Sequence, residues 1–312
     1  MPVYQLGNEN DYFNSRDQPD WAGNSAVFGG NGNDTIITNT LLYAPADNVF
    51  VDGGNGDDTI VLGTSHSVAF GGNGDDTLTS AGGTGNTLIG GNGDDTLIAE
   101  GGGSGMQPGT TLTGGLGHDT FILESGTGNL IVTNDVAGNG VVSDGDTFKG
   151  PMDVITDLQP GEHIGLRQYD IRTNGPTATD VPVARVDGVT LGPDPYTQDY
   201  LRPVIGNAQY AVFHGTFAGG NTFTVKADGP DLLAVYNTTT TGPSDPIGRG
   251  SLVLTGVTDE QLLDQALSPL TAQGPGVGWQ FPGQDVSGFA SLDQPATPAS
   301  ATDLIVCGNK QF

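Results

Sequence analysis

The chain has 312 residues, of which only 35% are hydrophobic and 52 are glycine, a composition that excludes a thick apolar core and leaves a thin, repetitive one. Carboxylates outnumber Lys plus Arg by 36 to 9, giving a net charge of −27. That charge excludes nucleic acid, anionic lipid and acidic polysaccharide as direct partners and selects cations.

The acids are 31 Asp and only 5 Glu; Asp beside abundant glycine points to turns and ion-binding loops. The opening Met1-Pro2-Val3-Tyr4-Gln5-Leu6 has neither the basic nor the apolar region of a signal peptide, and no run of about 18 apolar residues is present that could insert into a membrane. An exported chain of this kind would carry its address at the C-terminus.

Five segments then align: Gly29-Gly30-Asn31-Gly32-Asn33-Asp34-Thr35-Ile36, Gly53-Gly54-Asn55-Gly56-Asp57-Asp58-Thr59-Ile60, Gly71-Gly72-Asn73-Gly74-Asp75-Asp76-Thr77-Leu78, Gly90-Gly91-Asn92-Gly93-Asp94-Asp95-Thr96-Leu97 and Gly114-Gly115-Leu116-Gly117-His118-Asp119-Thr120-Phe121. Their starts are 24, 18, 19 and 24 residues apart. Eighteen residues make two nine-residue units, one full turn of a two-stranded coil, so the motif returns to one side of a solenoid at each turn. The two longer spacings hold six extra residues, which must bulge on the opposite side, around Leu41–Pro45 and Gly101–Gly109.

Each loop is followed by one apolar residue, Ile36, Ile60, Leu78, Leu97 or Phe121, and preceded two positions earlier by another, Val27, Val51, Ala69, Leu88 or Leu112. Two facing ladders of this kind form the thin core of a parallel β-roll, and each turn needs its neighbours to bury its share. Leu6–Phe13 reads as a degenerate first turn, with Asp11 lying 23 residues before Asp34. Asp144-Gly145-Asp146-Thr147-Phe148 reads as a modified last turn.

Calcium takes six to eight oxygen ligands from carboxylates and carbonyls. A G-G-x-G-x-D loop supplies both, because its glycines reach the tight backbone conformations that turn carbonyls toward one point. Two loops stacked one coil apart complete a site, so five loops give four intervals. The expected side-chain ligands are Asp34, Asp58, Asp76, Asp95 and Asp119, with Asp11 a weaker one. Expected backbone ligands come from Gly29, Asn31 and Gly32; Gly53, Asn55 and Gly56; Gly71, Asn73 and Gly74; Gly90, Asn92 and Gly93; and Gly114, Leu116 and Gly117. Asp57, Asp75 and Asp94 should point outward into solvent, His118 should be a solvated loop residue, and the asparagines should serve through their carbonyls rather than their amides.

Composition shifts near residue 150, with 4 of the 19 prolines before it and 15 after. The domain reading is therefore a β-roll over 1–150, then a cap and β-rich C-terminal domain over 151–312 that holds the secretion signal. Alternating runs such as Tyr210–Phe213 and Thr222–Val225 predict antiparallel strands. A short helix is predicted behind Thr258 as cap, with Gln261 completing a capping box, Leu262, Leu263 and Leu267 on one face and Pro269 after its end. The single cysteine, Cys307, excludes an intramolecular disulfide.

These nonapeptides resemble the RTX (repeats-in-toxin) family of Gram-negative bacterial proteins. Asp153-Val154-Ile155-Thr156-Asp157-Leu158-Gln159-Pro160-Gly161-Glu162-His163-Ile164-Gly165-Leu166 resembles the cap that follows such rolls in serralysin-type proteases, with His163 where that pattern carries Asp. The resemblance implies calcium-driven folding of the β-roll and one-step export by type I secretion machinery that reads an uncleaved C-terminal signal. The stretch from Gly215-Thr216-Phe217 to Val253–Val257 is similar to C-terminal domains of RTX surface proteins.

No effector motif accompanies the roll: neither H-E-x-x-H nor G-x-S-x-G occurs, and His66, His118, His163 and His214 are scattered. The expected function is that of a non-enzymatic, extracellular, calcium-binding structural protein that pairs with itself into a surface layer, matrix or filament. An RTX adhesin or glycan-binding module is the alternative, and a hydrolase with its site in 171–312 comes third.

Overall fold

The computed structural model describes residues 1–21, 23–39, 47–100, 107–125, 130–170, 175–176, 180–193, 201–219, 221–239 and 249–267. The first part of the chain is a run of short strands in chain order: β1 Val3–Gly7, β2 Tyr12–Asn14, β3 Ala26–Asn31, β4 Thr35–Asn39, β5 Phe50–Asn55, β6 Thr59–Gly63, β7 Val68–Asn73, β8 Thr77–Ala81, β9 Thr87–Asn92, β10 Thr96–Glu100, β11 Thr111–Leu116 and β12 Thr120–Ser125. The odd strands stack in parallel as one sheet and the even strands as another. This is the parallel β-roll predicted from the repeats.

Register follows the motif. Gly30, Gly54, Gly72, Gly91 and Gly115 are aligned partners in the first sheet. Thr35, Thr59, Thr77, Thr96 and Thr120 are aligned in the second. Because side chains alternate across a strand, this register turns both apolar ladders inward. Val27, Val51, Ala69, Leu88 and Leu112 face Ile36, Ile60, Leu78, Leu97 and Phe121, and all ten are fully buried.

The degenerate first turn belongs to the roll: β1 pairs in parallel with β3, and β2 with β4. Its end is filled by Tyr4, Phe13 and Trp21, with ring centroids 5.0 to 5.9 Å apart. The 24-residue turns are longer in the connections from β4 to β5 and from β10 to β11, where the bulges around Leu41–Pro45 and Gly101–Gly109 are expected. Residues 40–46 and 101–106 of those connections lie outside the described residues.

After β12 come β13 Ile131–Asn134, β14 Thr147–Lys149, β15 Asp153–Ile155, β16 His163–Asp170, β17 Gly175–Pro176, β18 Ala184–Arg185, β19 Leu191–Pro193, β20 Leu201–Pro203, β21 Gln209–Phe217, β22 Thr222–Val225, β23 Asp231–Asn237, β24 Arg249–Leu254 and helix α1 Glu260–Ala266. The last turn of the roll differs from expectation. It is not formed by Asp144–Phe148; β14 pairs antiparallel with β13 and β22 instead. The reason is local: both oxygens of Asp146 are used at short range, accepting from Val136 N and Ser143 N at 2.8 Å each. The turn that closes the roll is formed by Asp153–Leu166, with β15 parallel to β11 and β16 parallel to β12.

Through β15 the first sheet continues without a break into β24, β23, β21, β22, β14, β13, β20 and β19. The antiparallel strands predicted over Tyr210–Phe213 and Thr222–Val225 are β21 and β22. A second core, including Leu130, Phe148, Phe223, Leu233 and Val253, lies on one face of this extension. The other face continues the roll's core, where Leu263 of α1 is fully buried. The helix is capped by Asp259, whose carboxylate accepts from Gln261 N at 2.9 Å, and not by Thr258. Starting one residue later lets a charged acceptor serve the positive end of the helix. Pro269, Cys307 and the segment assigned to the export signal lie outside the described residues.

Candidate metal centre

The five loops form one row along the edge where the two sheets meet. Backbone geometry explains their glycines. Gly74, for example, has φ +126°, in the region closed to most side chains, and a Cβ there would collide with the Gly56 carbonyl of the preceding turn. The turns stack so closely that only hydrogen fits between them.

Asp34, Asp58, Asp76, Asp95 and Asp119 each sit at 1% exposure behind this backbone. One oxygen of each joins neighbouring turns. Asp11 N donates to Asp34 Oδ1, Asp34 N to Asp58 Oδ1, Asp58 N to Asp76 Oδ1, Asp76 N to Asp95 Oδ1 and Asp95 N to Asp119 Oδ1, at 2.7 to 2.9 Å. The other oxygen, Oδ2, is buried in all five and has no hydrogen-bond donor.

Those oxygens have a common surrounding. A Cβ added to Gly29 would collide with both Asp34 Oδ2 and the Gly53 carbonyl oxygen. Gly53 faces Asp58 Oδ2 and the Gly71 carbonyl in the same way, Gly71 faces Asp76 Oδ2 and the Gly90 carbonyl, and Gly90 faces Asp95 Oδ2 and the Gly114 carbonyl. Each of the four intervals thus presents a carboxylate oxygen from one turn and a carbonyl oxygen from the next, around space that only glycine leaves open. Among the described residues no three His, Cys, Asp or Glu side chains gather at one point, so the donor set is carboxylate plus backbone oxygen. Hard oxygen donors without nitrogen or sulfur suit calcium and do not suit zinc or copper.

The electrostatics agree. Burial, with the neighbouring carboxylates adding to it, pushes Asp58 up to about 6 and Asp76 and Asp95 up to about 7. Asp34 and Asp119 are raised for the same first reason. A file of desolvated anions one turn apart is unfavourable until protons or cations neutralise it.

The outward acids do two things at once. Asp57, Asp75 and Asp94 are exposed as expected, yet each Oδ1 also accepts from the backbone of the next turn: Asp75 N to Asp57, Asp94 N to Asp75 and His118 N to Asp94, at 2.8 to 3.0 Å. The asparagines depart from the reading. Their side-chain amides form a ladder, Asn31 to Asn8, Asn55 to Asn31, Asn73 to Asn55 and Asn92 to Asn73, at 2.6 to 2.8 Å. Their carbonyls meanwhile accept from the glycine of the previous turn, as in Gly56 N to Asn73 O at 2.8 Å. The signal for the ladder was the same amide at one position of four successive loops. Leu116 ends it with a side chain 69% exposed, while its carbonyl still accepts from Gly93 N.

Asp11 lies in line with the row but is half-buried. His118 is exposed, 3.9 Å from Asp94. His163 faces away from the row: its Nε2 lies 3.0 Å from Asp180 Oδ2, and Asp180 also pairs with Arg167 at 3.1 Å. Sequence reasoning missed Glu162, which sits beside Asp119 at 5% exposure. Burial and the adjacent Asp119 and Asp157 carboxylates push it up to about 7.

Residues 22–40, 52–85 and 80–103 match the family model of the RTX calcium-binding nonapeptide repeat. Those spans contain the first four loops, and the fifth, Gly114–Asp119, continues them in register. No curated protein is a significant sequence match to the chain. The chain carries RTX calcium-binding nonapeptide repeats, and calcium is the ion those repeats bind.

Proposed function

We propose that this chain is a secreted, non-enzymatic calcium-binding structural protein that folds and self-assembles outside the cell, as a subunit of a surface layer, matrix or filament. The observation that carries the reading is the row of five buried Asp oxygens without donors, each beside a glycine cradle. Calcium supplies the positive charge that such a row needs. Four ions sit in the four intervals, with Asp34, Asp58, Asp76, Asp95 and Asp119 as side-chain ligands and loop carbonyls completing each shell. Residues 1–150 hold the calcium-binding part, and 151–312 the cap and the export signal.

Proteins with these repeats are typically secreted, through type I systems. Among the described residues no helix is long and apolar enough to cross a membrane. Export unfolded through low cytosolic calcium, then folding in millimolar calcium, fits extracellular sites with Kd of about 10⁻⁴–10⁻³ M. Self-association is supported by β1 and β2, among the described residues the outermost strands at the N-terminal end of the two sheets, which expose Val3 and Tyr12 at 55% and 53%.

A second reading, an adhesin or glycan-binding module, is favoured by one feature. Phe28, Phe50 and Phe70 line the outward face of the first sheet, with ring centroids 5.7 and 5.6 Å apart, and aromatic faces of this kind stack on sugar rings. Circular dichroism at pH 8, in EDTA and in millimolar calcium, tests the folding claim; a roll already folded in EDTA at that pH would sink it. Light scattering in the same titration and a glycan array separate the two functional readings.

A further inference from the structure

We infer that the cap adds a fifth calcium site at the C-terminal end of the row, held by Asp119 and Glu162; the inference rests on the four-interval reading above and extends it. In the other intervals Asp Oδ2 meets the carbonyl of the next glycine loop. Asp119 has no sixth loop beside it. The cap turn takes that place and is fastened to the fifth loop by four hydrogen bonds: Gly114 N and Gly115 N donate to the two oxygens of Asp157 at 3.0 and 2.9 Å, Gln159 Nε2 donates to Gly115 O at 2.9 Å, and His163 N donates to Asp119 O at 3.0 Å.

This fastening sets the Glu162 carboxyl group against that of Asp119. Glu162 Oε2 accepts from Gln159 N at 2.7 Å. Glu162 Oε1 and Asp119 Oδ2 are both buried, and neither has a donor. Two buried carboxyl groups set together repel unless a shared proton or a cation lies between them, and a cation converts the repulsion into ligation. The ion is a hard one, because the imidazoles nearby are otherwise engaged: His163 with Asp180 and the exposed His118 beside Asp94. This site differs in kind from the other four, having two side-chain carboxylates where they have a carboxylate and a carbonyl.

The test counts calcium ions on the full chain by native mass spectrometry at saturating calcium, for the wild type, Glu162→Gln and Asp76→Ala. Gln keeps the shape of Glu and the acceptor for Gln159 N. The expected result is five ions on the wild type, four on Glu162→Gln and two fewer than wild type on Asp76→Ala. Equal counts on the wild type and Glu162→Gln, with Asp76→Ala still lowered, would overturn the fifth site and leave the row intact. No calcium on any of the three would remove the four-interval reading as well. If Glu162→Gln fails to fold, anomalous scattering from calcium-loaded wild-type crystals decides: a peak between Asp119 and Glu162 supports the site, and peaks in the four intervals alone overturn it.

Discussion

The carboxylate of Asp76 works in both directions along the row. Oδ1 accepts from Asp58 N and Oδ2 faces the Gly90 carbonyl, so its removal disturbs two intervals. Asp34 has a complete loop on one side only; on the other it meets the degenerate loop that ends in Asp11. Asp76→Ala should therefore lower calcium uptake more than Asp34→Ala, and equal losses by titration calorimetry would contradict this.

The same carboxylates set a pH dependence. In calcium-free protein Asp58, Asp76 and Asp95 have folded values near 6, 7 and 7 against an ordinary 3.8. The folded state then binds more protons than the unfolded state across that window, so its stability is greatest below about pH 4 and is lost as pH rises through 6 to 7. Calcium binds the deprotonated form, so its affinity should rise over the same window. Circular dichroism in EDTA should show more β-structure at pH 5, where protons neutralise the row, than at pH 8, and calcium affinity should show the reverse order. Spectra in EDTA that are identical at the two pH values would refute the assignment.

At the scale of elements, the roll was legible because one motif fixes four things together: the turn, the metal ligand, the inward residue and the register. Ile60 faces inward because it follows Asp58 and Thr59, and the same rule holds at every turn. The cap turn was legible only as a resemblance. β15 and β16 return to the roll after the intervening β13 and β14, and nothing in the local pattern of Asp153 says which strand it will join. The Asp146-Thr147-Phe148 echo misled for the complementary reason, since a strand can begin Asp-Thr-Phe wherever its Asp closes a turn. Glu162 was invisible because its role depends on the docking of the cap turn rather than on any repeat.

The ladder also yields a graded prediction. Leu88 is fully buried between neighbouring turns whereas Leu116 is 69% exposed. In calcium-loaded protein Leu88→Ala should cost about 2–5 kcal/mol, and Leu116→Ala should stay within about 0.5 kcal/mol. Denaturant unfolding of both variants, at one calcium concentration, checks the contrast; similar costs would mean that the ladder is not the core.

At the scale of the whole molecule, charge and sheet edges act together. The four interval Ca²⁺ ions, each adding two charges, bring −27 to about −19, and a fifth at the cap brings it to about −17, which weakens repulsion between copies. Folding also creates edges, and these are unequal. At the C-terminal end of the roll the first sheet runs on through β15 into β24 and ends at β19, a short strand closing on Pro193, while β17 pairs with the outer part of β16 in the second. Among the described residues β1 and β2 are the outermost strands at the N-terminal end, and they carry exposed Val3 and Tyr12. A single sticky end used by two copies is a self-complementary contact and closes as a dimer, whereas an open fibre needs a second, different contact. The first species expected on adding millimolar calcium is therefore a dimer, with larger assemblies following at higher protein concentration through another surface. Val3→Lys with Tyr12→Lys places charge on both edges; it should leave calcium uptake and circular dichroism unchanged while holding the protein monomeric. Light scattering on both proteins reads the difference. If the unaltered chain stays a folded monomer at high concentration in calcium, self-assembly fails, and the aromatic row of Phe28, Phe50 and Phe70 becomes the feature around which the glycan-binding reading should be pursued.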